Sequence, residues 1–240
     1  IKLGFNQIPL EKLVALEKTW LTKTDNSYFH RLKDRVQLSA QELAWLELNQ
    51  PIKIGINPNW SPIEFIDESG DIKGINPDIV RLIRQRTGIE FEYVQFSSWN
   101  DLFQGMVNGD MDVLAGATKT KERDKYLLFS TPYWDLPSVI VHPQQLGNDL
   151  ALTDFYGKSL AIVKGYFLVS LIQQKYPSIV LKLVDSHDEA LMAVQRGLAD
   201  GLIENIATAS ELISRESLIK LSISVVDEFD EDKLYFALPK

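Results

Sequence analysis

The sequence predicts a two-lobed α/β fold, and three observations carry the prediction. From Pro51 onward, strand and helix signals alternate in the order β-α-β-α-β, the pattern of a mainly parallel sheet with helices on both faces. The same order recurs from Ser159. Two extended apolar stretches, Phe129–Val141 and Leu221–Leu238, then provide the crossovers that a hinged pair of lobes needs.

Residues 1–50 stand apart from this plan. Leu10, Leu13, Val14, Leu16, Trp20 and Leu21 recur at helical spacing, and a second short helix is expected near Tyr28–Val36. Ser39-Ala40-Gln41-Glu42 is a capping box opening a third helix through Leu48, which Pro51 stops. Three short helices make a poor independent core. The segment is expected to be a helical lead-in that packs on the α/β region beginning at Pro51.

Ile52–Ile56 reads as a strand with Gly55 inside it, and Glu68–Asp71 as a turn whose positive φ falls on Gly70. Pro77–Thr87 is an amphipathic helix ended by Gly88, and Ile89–Phe96 the next strand. Ser98–Val107 is a helix with Gly109 just past its end, followed by a strand over Met111–Ala115. In the second half, Ser159–Val163 and Ile179–Val184 are strands around a helix over Phe167–Lys175. Ser186–Glu189 is a second capping box, for a helix to Arg196 that precedes a strand near Gly201–Ile203.

Leu102–Asp112 and Ala190–Asp200 align without gaps, each a helix, a glycine cap and an aspartate leading into an apolar strand. Asp112 and Asp200 are therefore expected to cap turns rather than to catalyse, although with Asp78 they invite a catalytic reading. Both lobes follow one plan, with the site expected in the cleft between them. Lobe 1 is expected over 51–137 and 228–240, lobe 2 over 138–227.

The chain is 45% apolar and 24% charged, enough to fill a core, and carries a net charge of −8. That balance argues against nucleic acid or an anionic membrane surface as the main partner, because both require a basic face. A small anion remains compatible, since one buried arginine can hold it. The absence of cysteine excludes a disulfide, a thiolate metal site and a cysteine nucleophile. His30, His142 and His187 form no i, i+4 pair, so no metal is expected. No Walker loop, G-x-S-x-G or H-E-x-x-H is present, and neither a cofactor nor a catalytic constellation is expected. No run approaches the roughly 18–20 apolar residues of a membrane span. Ile1 is not a natural start, so the chain reads as a piece of something longer, attached to a membrane only through flanking segments.

Several motifs in a fixed order carry a resemblance. They are Ile52-Lys-Ile-Gly-Ile-Asn57, Trp60-Ser-Pro-Ile-Glu-Phe65, Gly74-Ile-Asn-Pro-Asp78, Asp112-Val-Leu-Ala-Gly-Ala-Thr-Lys-Thr-Lys-Glu-Arg123, Phe129-Ser-Thr-Pro-Tyr133, Val163-Lys-Gly-Tyr166, Ala199-Asp-Gly-Leu-Ile-Glu-Asn205 and Leu234–Lys240. Residues 51–240 resemble the family 3 bacterial extracellular solute-binding proteins, the type II periplasmic-binding fold. Within that family they look most like the Venus-flytrap sensor domains of BvgS-type sensor histidine kinases. The resemblance implies a periplasmic, non-enzymatic sensor domain of a transmembrane receptor that closes on a small carboxylate such as an amino acid, in a receptor that can be a homodimer. It also makes residues 1–50 the tail of a preceding domain plus linker. A free transport-binding protein and a cyclohexadienyl-dehydratase-like enzyme using Glu64 or Glu204 are the rivals, together with a degenerate lobe pair that stays closed without ligand.

Arg123 is the first candidate ligand residue, because a guanidinium fork donates two parallel hydrogen bonds to a carboxylate. Thr120 stands where a strand ends and a helix can start, adding its hydroxyl and the helix dipole. On spacing alone, Arg123 reads more readily as a surface arginine in a charged helix start among Lys119, Lys121, Glu122, Asp124 and Lys125. The resemblance assigns Thr120 and Arg123 to the ligand carboxylate and gives Thr118 main-chain contacts. Trp60 and Phe65 are expected to form an aromatic wall, with a core role for Phe65 left open. Gly165 and Tyr166 begin a helix whose free N–H groups face the ligand. Where the family's amino-acid binders place an aspartate for the ammonium group, this sequence has Asn205, which offers no full charge.

Overall fold

The computed structural model describes residues 9–20, 36–215, 220–226, 229 and 233–240. The helix expected near Tyr28–Val36 lies, apart from Val36, outside the described residues, as does His30.

The chain divides into two compact units, Ile1–Pro51 with Ile79–Phe91, and Ile52–Asp78 with Glu92–Lys240. In the first, α1 (Leu10–Trp20) buries Leu13 and Val14, while α2 (Ala40–Asn49) buries Leu46 and leaves Trp45 and Leu48 exposed. The Ser39 hydroxyl accepts from the Glu42 N–H at 3.3 Å and the Glu42 carboxylate accepts from the Ser39 N–H at 2.7 Å, the reciprocal box read from the sequence. Two bonds tie this segment to residues 86–90: Val36 N–H to the Arg86 carbonyl, and Glu90 N–H to Gln50 Oε1, both 2.8 Å.

The second unit holds one main sheet per lobe and a small third sheet. Its first elements are β1 (Ile52–Ile56), β2 (Asn59–Trp60), β3 (Glu64–Ile66) and β4 (Ile72–Lys73). Helix α3 (Ile75–Thr87) runs from this unit into the other. Next come β5 (Phe91–Gln95), α4 (Trp99–Asn108), β6 (Val113–Thr118), β7 (Leu127–Phe129), β8 (Trp134–Asp135), β9 (Ser138–Pro143), β10 (Ser159–Val163) and α5 (Phe167–Lys175). The last elements are β11 (Val180–Val184), α6 (His187–Gln195), β12 (Gly201–Asn205), α7 (Ile206–Arg215), β13 (Leu221–Val225) and β14 (Lys233–Pro239).

The first lobe's sheet runs β5-β1-β6-β14-β7 with β8 also on β14, and the second lobe's runs β11-β10-β12-β9-β13. Strands β2, β3 and β4 form a small separate sheet. The expected parallel pairings hold for β1 with β6 and for β10 with β11 and β12. However, β14 is antiparallel to β6, and β9 is antiparallel to β12 and β13. The antiparallel strands are those next to the crossovers, where the chain enters a lobe from the opposite direction. One crossover is the two-residue step Leu136-Pro137 between β8 and β9.

Alternation along β10 shows why both faces of the second sheet need helices. Leu160 and Ile162 join the cluster of Phe155, Leu168 and Ile172, whereas Ala161 joins that of Leu191, Val194 and Leu202. In the first lobe, α4 lies so close to β1 that a Cβ on Gly55 would stand 2.2 Å from Met111 Sδ and 2.8 Å from Leu102.

The two aligned segments close their lobes by the same clasp. Asp112 Oδ2 accepts from the Lys53 N–H at 2.8 Å while its own N–H donates to the Lys53 carbonyl at 2.9 Å. Asp200 Oδ2 accepts from the Ser159 N–H at 2.7 Å while its N–H donates to the Ser159 carbonyl at 2.9 Å. Both aspartates are thus strand-end clasps. The second capping box differs in one bond: Ser186 accepts from the Glu189 N–H, but Glu189 reaches back to the Asp185 N–H.

Candidate functional site

Strand β6 ends at Thr118, and the chain then makes a single 3₁₀ turn, Arg123–Lys125, before β7. Thr120 closes that turn: its hydroxyl accepts from the Arg123 N–H at 3.2 Å and its carbonyl from the Asp124 N–H at 2.9 Å. The turn is too short to carry a helix dipole, so the expected dipole contribution at Thr120 is absent. What the turn does is fold Arg123 back over the end of β6. Its guanidinium donates through Nη1 to the Thr118 carbonyl at 3.0 Å and through Nη2 to the Gly165 carbonyl of the second lobe at 3.3 Å. It also lies 5.2 Å from the Trp99 ring centre and 5.5 Å from that of Phe103.

Arg123 is only 8% exposed, and no acidic group lies within salt-bridge distance of it among the described residues. Burial pulls its pKa down to about 10, which still leaves it charged at neutral pH. Two of the five N–H donors of a guanidinium are occupied by these carbonyls.

Gly165 takes a second donor from the first lobe, Trp99 Nε1 at 3.1 Å. Its carbonyl, rather than the N–H groups expected from the sequence, therefore faces the opposite lobe. The reason is the left-handed backbone at Gly165, φ 79°, which turns the peptide before α5 begins.

A cavity of about 50 Å³ lies beside this contact, walled by Trp60, Trp99, Thr118, Arg123, Tyr166, Glu204 and Asn205 among others, with both a cation and an acidic side chain in its lining. That is room for roughly three or four water-sized groups, the dimensions of a carboxylate. Trp60, Trp99 and Tyr166 stack edge-on in sequence, each pair of ring centres 6.2 Å apart. Trp60 sits over Gly116, where an added Cβ would stand 2.8 Å from its ring. Its indole Nε1–H is buried and has no hydrogen-bond partner, a donor lacking an acceptor.

The second lobe's wall is a chain of polar contacts. The Tyr166 hydroxyl lies 3.2 Å from His187 Nε2, and His187 Nδ1 lies 2.5 Å from Glu204 Oε2. Glu204 Oε1 accepts from the Asn205 N–H at 2.9 Å and from its Nδ2 at 2.7 Å. The Asn205 Oδ1 in turn accepts from the Thr208 N–H at 2.9 Å, capping α7. Burial, reinforced by the charges of Glu204 and then Glu64, pushes the Tyr166 phenol well above its usual range, so it stays a neutral hydroxyl.

Of the residues singled out from the sequence, Trp60, Thr118, Arg123, Tyr166, Glu204 and Asn205 meet at the cavity. Thr120 and Gly165 line a larger groove of about 590 Å³ that shares Trp99, Arg123, Tyr166 and Phe167 with it. Phe65 lines neither. On β3 the neighbouring Glu64 points inward and is fully buried, so period-2 alternation sends Phe65 to the other side, paired with Asn59 and Lys73. Trp99 is the principal residue that sequence reasoning missed; its signal was a tryptophan directly after the Ser98 helix cap. No cluster of three metal-ligating side chains occurs among the described residues, and none of their helices is long and apolar enough to cross a membrane.

Known proteins share this fold. The virulence sensor protein BvgS of Bordetella pertussis is 25% identical over 186 residues, which are 78% of this chain and 15% of that sensor. The crystal structure of a double mutant of the BvgS VFT2 domain superposes with a TM-score of 0.75 at 26% identity, over 85% of this chain and 86% of that one. Holo ArgBP from T. maritima superposes with a TM-score of 0.70 at 27% identity, over 82% of this chain and 86% of that one. A profile of known sequences matches residues 52–216, and by that match the chain belongs to the bacterial extracellular solute-binding proteins, family 3.

Proposed function

We propose that this chain is a periplasmic ligand-sensing domain of a transmembrane receptor, whose lobes, 51–137 with 228–240 and 138–227, close on a small carboxylate such as an amino acid. The observation that carries the reading is Arg123, a buried cation with no salt-bridge partner among the described residues, placed where the two lobes meet. An anion entering there would replace backbone carbonyls with a charged acceptor, which strengthens each bond. Trp60 Nε1 supplies a further donor at the same cavity. Asn205 lines the cavity, but its amide is committed to Glu204 and Thr208, so an ammonium group of the ligand would have to face Glu204, which lines the cavity beside it. The likeness to BvgS supports the sensor role, and in that setting residues 1–50 bring the chain in from a preceding domain. Ligand shifts such a receptor only by its preference for closed lobes over open ones.

The likeness to ArgBP favours a transport-binding protein as the second reading. A kinase or cyclase domain downstream in the full gene decides for the sensor. The enzyme reading is weaker, because Glu64 lies outside the cavity wall and Glu204, which lines it, is engaged by His187 and Asn205.

The test is a thermal-shift screen of amino acids and small carboxylates. At least one should raise the Tm of the wild type, and Arg123→Ala should lose that shift. Equal shifts in the two proteins would remove Arg123 as anchor, and no shift with any carboxylate would remove the ligand class.

A further inference from the structure

The groove on the outer side of Arg123 has a character of its own. It is more than ten times the volume of the inner cavity, at about 590 Å³ against about 50 Å³, and falls within the range of small-molecule sites. The chain carries a net charge of −8, yet the ionic residues lining this groove are Lys121, Arg123 and Lys175 against Glu122 alone. Between those charges the walls are aromatic: Phe103 and Tyr126 from the first lobe, Phe167 from the second. Tyr126 is 58% exposed, a large ring held at the surface along the groove.

The groove also has a direction. Arg123 touches Gly165, just before α5 begins, and Lys175 is the last residue of that helix. Nine helical residues at 1.5 Å each make α5 about 13 Å long, with the Arg123 contact at one end and Lys175 at the other. The Lys175 ammonium lies 5.9 Å from the Phe229 ring centre at that end of the groove, within reach of an anion spanning roughly 10 Å from Arg123.

We propose that the ligand continues past Arg123 along α5, as an elongated dianion with one carboxylate on Arg123, an apolar or aromatic body between Phe103, Tyr126 and Phe167, and a second anionic group at Lys175. This rests on the carboxylate reading of Arg123 and adds to it a length, a second charge and an apolar middle. A free dicarboxylic acid and a short peptide ending in an acidic residue share that chemistry.

The test is calorimetric titration of the protein with linear α,ω-dicarboxylates from succinate to dodecanedioate, each beside the monocarboxylate of equal length, and with an N-acetylated Phe-Glu dipeptide. Affinity should pass through an optimum at intermediate length, where the diacid binds about tenfold tighter than its monoacid, as one added ion pair worth ~1.4 kcal/mol gives. Lys175→Glu should remove that advantage and leave monoacid binding unchanged, with Lys175→Gln intermediate. Arg123→Ala should weaken both ligands. Tighter binding of the dipeptide than of any diacid identifies a peptide as the source. Equal binding of diacids and monoacids at every length, with Arg123 still required, overturns the groove but leaves the carboxylate reading standing. A diacid advantage that survives Lys175→Glu overturns the placement at Lys175. Binding of none of these compounds overturns both.

Discussion

The Gly165 carbonyl of the second lobe accepts from Trp99 Nε1 at 3.1 Å and from Arg123 Nη2 at 3.3 Å, both from the first lobe. One oxygen thus holds two donors across the cleft. If it keeps the lobes together, removing the neutral donor should loosen closure without disturbing the cation. Trp99→Phe keeps most of the ring contact with Trp60 and Tyr166 and deletes the N–H. It should lower stability by about 1 kcal/mol, seen as a lower urea midpoint at unchanged slope. A lost slope would mean that the variant alters the packing of the lobes and not one bond.

Trp60 offers the opposite case. Its Nε1–H is buried without a partner, so Trp60→Phe removes an unsatisfied donor from the ligand-free protein. Stability should stay level or rise by up to about 1 kcal/mol, while affinity for a stabilising carboxylate falls about tenfold. Thermal denaturation with and without that carboxylate checks both parts. Unaltered affinity would mean that the indole N–H does not meet the ligand.

The seat of Trp60 depends on Gly116, where φ is 73° and the space for a Cβ is already occupied by the indole. Gly116→Ala should cost about 2 kcal/mol or more, from backbone strain and overpacking together. It should also weaken ligand binding while leaving the tryptophan emission maximum near that of the wild type, since the ring is displaced rather than exposed. A variant as stable as the wild type would show that the wall can yield.

Glu64 makes stability depend on pH. The side chain is fully buried and accepts from the Asn57 N–H and from Asn76 Nδ2, and burial outweighs both bonds to push its pKa from 4.5 up to about 7. Between those values the folded protein binds more protons than the unfolded chain, so this contribution is complete below about pH 4.5 and is lost as pH rises through 7. The loss reaches up to about 3 kcal/mol. Urea titrations at pH 5 and pH 8 should show it, and Glu64→Gln should flatten the difference. A wild-type stability that rises across this interval for which Glu64→Gln makes no change would contradict the assignment.

Much of the fold was legible because its signals are local. The Ser39–Glu42 box, the glycine caps and the paired Asp112 and Asp200 clasps each need only a few neighbouring residues to read. Arg123 and Thr118 were legible through the order of the motifs around them. Phe65 was misplaced because the alternation of β3 is set by Glu64, a charge that sequence patterning assigns to solvent and the fold buries. The orientation of the Gly165 peptide was not legible either, since it arises from a backbone angle that brings a carbonyl, not an N–H, toward a distant tryptophan and arginine. The antiparallel entry of β9 and β14 was hidden for a related reason: direction within a sheet depends on which lobe the chain has just left.

That arrangement has a consequence for biosynthesis. All five strands of the second lobe's sheet fall between Ser138 and Val225, so it can assemble as soon as that stretch leaves the ribosome. The first lobe's sheet, although begun at Ile52, has β14 at Lys233–Pro239 inserted between β6 and β7. Until that late strand arrives, two earlier strands lack their shared neighbour, and the half of the protein that is translated first is the last to be completed.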